Sequence, residues 1–80
     1  MFGVYGGGLA APLDVLERGL ALDEFDEALW RLALQAEHAL GLRESVTRRY
    51  RELTRTLEEQ LGLQPSQETR TIYRQLLGQA

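Results

Sequence analysis

The eighty-residue sequence contains no cysteine, no lysine and no asparagine, and it has one histidine, one tryptophan and two prolines. Without cysteine, neither a disulfide nor a thiolate metal site can brace the chain. His38 has no second histidine to share a metal and no evident nucleophile to serve, so it reads as an ordinary helix residue with no metal role. The absence of lysine also disposes of the glycine run. Gly3, Gly6, Gly7 and Gly8 would need a following lysine and Ser/Thr to cradle a phosphate, and Leu9, Ala10 and Ala11 follow instead. No apolar run approaches the ~20 residues that cross a bilayer, and the start lacks the basic region and apolar core of a secretory signal. These absences predict a cytoplasmic protein with no membrane contact, no cofactor, no metal and no catalytic residue set.

What is present is a short, charged, leucine-rich chain. Eighty residues make at most one domain, and a domain this small buries a reduced share of its surface. Tight helix packing, a partner or a second copy must supply the rest. The net charge of −3 is unevenly spread: residues 1–40 carry two arginines against seven acids, and residues 41–80 carry seven arginines against five acids. That balance is too weak for a dedicated nucleic-acid binder.

The pattern along the chain predicts a glycine-rich arm over residues 1–11 and an all-α domain over residues 12–78. A first helix from Pro12 to Leu22 uses proline in its first turn and carries Leu13, Leu16 and Leu20, flanked by Val15 and Leu22, on one apolar side. Gly19 in its middle costs about 0.5–1 kcal/mol and leaves room for a neighbouring helix. A second helix is predicted to open at Asp23 as N-cap, with Glu24, Asp26 and Glu27 in its first turn. Its principal apolar stripe is Phe25, Ala28, Leu29, Leu32, Ala36, Ala39 and Leu40. Trp30, Ala33 and Leu34 widen that stripe, as in a helix packed on several sides, and Gly41 ends it. A third helix from Arg43 to Leu61 carries Val46, Tyr50, Leu53, Leu57 and Leu61 on one seam, with Gly62 as its stop. A fourth starts near Pro65 or Ser66 and presents Ile72, Tyr73, Leu76 and Leu77. Trp30, Tyr50 and Tyr73 read as packing residues.

The order Leu22-Asp23, Asp26-Glu27, Ala39-Leu40-Gly41, Tyr50, Leu61-Gly62, Pro65-Ser66, Tyr73 and Leu76-Leu77 resembles the bacterial transcriptional activator domain, the tetratricopeptide-like module of antibiotic regulatory proteins. The resemblance covers about Leu13 to Leu77. It departs at Glu24, where the repeat usually has proline, and at Leu34 and Val46, where smaller residues are usual. The resemblance implies a tetratricopeptide-like helical hairpin with flanking helices, four in all, as a fragment of a right-handed α-α superhelix. Regulators of that family carry a winged helix-turn-helix and further repeat helices ahead of this portion, and the eighty residues correspond to the last one and a half repeats with a terminal helix. Repeat units bury their faces against neighbours. The first helix and the broad apolar belt of the second are therefore expected to need cover from a second copy or from parent domains, through Leu13, Leu16, Leu20, Trp30 and Leu34.

Two polar groupings are candidate contacts. Arg31, Gln35 and His38 fall at i, i+4 and i+7 on one stripe of the second helix. The resemblance implies that this stripe lines a peptide-binding groove, where arginine can fork a carboxylate and glutamine can pair with backbone. Arg48, Arg49 and Arg51 offer contact with a nucleic-acid backbone. Against that, Glu44, Arg48, Glu52, Arg55 and Glu59 alternate at helical spacing, as in an intrahelical ion-pair ladder on a solvated face. The resulting expectation is a non-catalytic interaction or oligomerisation module of a bacterial transcriptional regulator, with DNA reached only through another domain. Its rivals are a small DNA-binding regulator using the third helix and a stand-alone peptide-binding adaptor.

Overall fold

The computed structural model describes residues 13–78 as four helices with no strand among them: α1 Leu13–Leu22, α2 Glu27–Ala39, α3 Arg43–Leu61 and α4 Gln67–Gly78. The glycine-rich arm and Pro12 lie outside the described residues.

Helix α2 starts three residues later than the sequence predicts, with its N-cap at Asp26 rather than Asp23. Asp23 forms a turn, its Oδ1 accepting from the Phe25 N–H at 3.1 Å, and its own N–H closes α1 on Gly19 O at 2.9 Å. The cap is Asp26, whose Oδ1 accepts from the N–H groups of Ala28 and Leu29. Both aspartates can satisfy a free helix N–H. Asp26 takes the role because the turn needs Asp23. At its other end α2 closes on Gly41 at φ +78°, which lets the Gly41 N–H reach His38 O and the Leu42 N–H reach Glu37 O. That pair of bonds is a glycine-based C-cap in which the chain reverses. Gly62 ends α3 in the same left-handed region. Ser66 caps α4, its Oγ accepting from the Thr69 N–H at 3.3 Å and its carbonyl from the Arg70 N–H at 3.0 Å.

Helix α2 is the hub and packs against all three others. Leu16, Leu20, Trp30, Ala33, Leu53 and Leu57 form one buried cluster shared by α1, α2 and α3, edged by Leu13, Leu29 and Ala36. Removing a leucine-sized side chain from water is worth about 1.5–3 kcal/mol, so this cluster is the main source of cohesion. Close approach of α1 to α2 depends on Gly19: a Cβ there would stand 2.9 Å from Leu29 Cδ1. On the other side of α2, Leu34 shares a stripe with Glu27 and Arg31, both of which touch α4, and it is fully buried. Val46 of α3 and Thr69 of α4 are buried as well.

This packing overturns the self-association surface expected from the sequence. Leu16, Leu20, Trp30 and Leu34 are sealed inside the chain, at 0 to 8% exposure, and Leu13 is half-buried against them. The expectation failed because α2 is apolar over most of its circumference, so periodicity could not say which stripe faces inward. Trp30, Ala33, Leu34 and Glu37 do so, while Ala28, Leu32 and Ala39 of the supposed principal stripe are exposed.

Candidate interaction surface

Two polar clusters fix the helices on which any surface must be displayed. The first joins α1, α2 and α3. Glu37 lies on the inward stripe of α2, i+7 from Trp30, and its side chain is almost entirely buried. Arg49 of α3 grips it with two parallel bonds, Nε to Oε1 at 2.9 Å and Nη2 to Oε2 at 3.0 Å, and Nη2 also reaches Glu17 Oε2 of α1 at 2.8 Å. Burial alone would lower the Arg49 pKa, but the bonds to Glu37 and Glu17 outweigh it and hold the guanidinium more firmly charged than usual.

The second cluster fastens α4 to α2. Thr69 is fully buried, and its hydroxyl donates to Glu27 Oε1 at 2.7 Å while accepting from Arg31 Nη1 at 3.0 Å and Ser66 Oγ at 3.1 Å. The same Glu27 oxygen accepts from the Ser66 N–H at 3.0 Å. Burial pushes the Glu27 carboxyl upward, but the Ser66 N–H, the two hydroxyls and the nearby Arg31 charge bring it below its ordinary value. Tyr50 and Tyr73 stack face to face, ring centroids 3.8 Å apart, and complete the joint between α3 and α4. No buried side-chain N or O among the described residues lacks a partner.

These clusters redistribute the polar candidates. Arg31 is turned toward α4, bonded to Thr69 and 3.8 Å from Glu68, whereas Gln35 is exposed and His38 half-buried. The guanidinium proposed to fork a ligand carboxylate is thus occupied inside the chain. Arg49 is occupied too and leaves the nucleic-acid grouping, in which Arg48 and Arg51 stay exposed. The ion-pair ladder is absent among the described residues: none of Glu44, Arg48, Glu52, Arg55 and Glu59 is ion-paired, and Arg48 Nη2 donates to Ser45 Oγ instead. Such exposed pairs are worth only about 0.2–0.5 kcal/mol, too little to hold two long side chains in one geometry. Sequence reasoning also missed Glu17, Glu27, Glu37 and Thr69. An acid on an apolar stripe, as Glu37 is, signals a buried partner.

The remaining surface has an uneven distribution of apolar side chains. Ala28, Leu32, Gln35 and Ala39, spaced 4, 3 and 4, form an open face along α2. Larger side chains collect at the two ends of the α2–α3 hairpin. Leu22, Phe25, Leu61 and Leu63 are exposed at the α1–α2 corner and the end of α3; Leu40, Leu42 and Leu77 are exposed around the Gly41 turn and the end of α4. Among the described residues no group of three or more His, Cys, Asp or Glu side chains is placed to hold a metal ion, and no helix is long and apolar enough to cross a membrane.

A hub helix with a left-handed glycine turn into its hairpin partner, followed by a short capping helix, is the arrangement the family resemblance implies. The sequence matches the family model for the bacterial transcriptional activator domain over residues 4–77. The chain belongs to that family. The match begins within the glycine-rich segment and takes in all four helices almost to the end of α4. Comparison with curated proteins and with solved structures gives no match. Membership of the bacterial transcriptional activator domain family places the chain in transcription regulation.

Proposed function

We propose that this activator domain is a non-catalytic protein–protein interaction module of a bacterial transcriptional regulator, working in the cytoplasm and associating with a second copy or with other parts of its parent. DNA is contacted by a separate domain or partner. The observation that carries this reading is the set of apolar side chains left in water by helices whose own core is already closed, above all Leu22 at 90% and Leu40 at 64% exposure. Such side chains gain by being covered, and charged neighbours set the register of whatever covers them. Arg49 of α3 is engaged by Glu37 and Glu17 and is not free for a nucleic-acid backbone.

The test replaces Leu22 and Leu40 together by serine. Because both are exposed, folding stability should stay within about 0.5 kcal/mol of wild type. Concentration-dependent sedimentation should fall, and so should activation by a regulator carrying the changed domain. Undiminished association and activation would contradict the reading.

A further inference from the structure

The two apolar ends carry opposite charge. At the α1–α2 corner, exposed Leu22 and Phe25 stand with Asp23 and Glu24, and the nearby end of α3 adds Glu58 and Glu59 against one cation, Arg55, so the corner is acidic on balance. Around the Gly41 turn, a surface groove of about 450 Å³ is lined by Arg43, Glu44, Thr47, Arg48, Arg51 and Leu77. None of those three arginines is ion-paired among the described residues.

The acidic end is also built to keep its shape. Trp30 Nε1 donates to Glu24 O at 2.8 Å, so the indole of the core pins the corner from beneath. Asp23 and Asp26 spend their carboxylates on N–H groups of the same turn, and the Glu24 side chain is exposed and takes part in no ion pair among the described residues. A loop held in this way loses little further entropy when a partner covers it.

The corner and the groove cannot meet within one chain. Helix α2 separates them by its 13 residues, about 20 Å at 1.5 Å per residue. Helix α3 runs antiparallel to it: Arg49 meets Glu37 toward one end of α2, and Thr56 and Glu59 line a surface with Trp30 and Glu24 toward the other. Helix α4 starts beside Glu27 at the corner end and finishes with Leu77 in the groove.

We infer that the acidic corner of one copy docks, Leu22 foremost, into the arginine-lined groove at the Gly41 end of a second copy. This rests on the interaction-module reading and names its partner and its two surfaces. The contact is heterologous: each copy offers one corner and one groove, so copies join head to tail rather than through a shared two-fold patch. Apolar contact of Leu22 with Leu77 supplies attraction, and Glu24 against Arg48 and Arg51 fixes orientation and speeds encounter.

The test uses the full chain and two charge reversals on exposed side chains, Glu24→Arg and Arg51→Glu, with thermal melts confirming that both fold. Wild type should associate more strongly at ~0.1 M than at ~1 M salt, where screening shortens the reach of charge from ~10 Å to ~3 Å. Each variant alone should associate at least about tenfold more weakly than wild type. Mixing the two should recover association, because the corner of the Arg51→Glu chain and the groove of the Glu24→Arg chain are both unaltered. Wild-type association that ignores both reversals, or mixing that recovers nothing, would overturn the docking while leaving the module reading intact. A wild type that stays monomeric throughout would overturn the docking and the second-copy branch of that reading together.

Discussion

At the scale of single residues, the most consequential side chain is Arg49. It is the only described group that touches both Glu17 of α1 and Glu37 of α2 from α3. The Glu37 carboxylate is tolerable in the interior because a guanidinium fork meets both of its oxygens. Arg49→Ala would leave that charge buried without its partner, and breaking one side of such a pair costs about 3–5 kcal/mol. In a domain of this size that is a large share of the available stability. Chemical denaturation should therefore show a loss of roughly 3 kcal/mol or a protein already partly unfolded. Restoring packing with Arg49→Met together with Glu37→Met should recover most of it, since an apolar pair can replace an ionic one at little cost. A mild loss in Arg49→Ala would mean that water, rather than Arg49, satisfies Glu37.

At the scale of elements, α1, α2 and α3 share a continuous apolar cluster, whereas α4 is held largely by polar contacts. Thr69 is its one fully buried side chain, and Ile72, Tyr73 and Leu76 are only half-buried. Attachment of α4 should therefore follow the ionisation of Glu27. Its folded-state pKa is lowered below the ordinary value of 4.5. A lowered acid contributes stability that is complete above the unfolded value and disappears as pH falls through the folded one. The tyrosine near-ultraviolet circular dichroism, which reports the Tyr50–Tyr73 stack, should be constant at neutral pH and decline below pH 4.5. Glu27→Gln should weaken that signal at neutral pH and flatten its decline. A signal that declines identically in both proteins would assign the acid sensitivity to another group.

The same scale shows how much was legible beforehand. Four helices, the Gly41 and Gly62 stops and the role of Gly19 follow from spacing and local backbone chemistry, which act within a few residues. The start of α2 was misplaced because Asp23 and Asp26 are chemically alike and only the turn between α1 and α2 chooses between them. The inward face of α2 and the partners of Arg31 and Arg49 depend on residues up to 38 positions away. No local pattern encodes those pairings. The lone acid on the apolar stripe at Glu37 was the one legible hint of them.

At the scale of the whole molecule, the described helices close their core around Trp30 and leave apolar side chains at two oppositely charged ends. Association then belongs to those ends, while the tryptophan stays internal. Trp30 is the only tryptophan in the chain, so its fluorescence reports this division without a label. Across a dilution series that carries the protein from associated to monomeric by sedimentation, the emission maximum is predicted to remain at its buried, blue position. A red shift on dissociation, in step with the change in mass, would put Trp30 at the contact between copies and contradict the account.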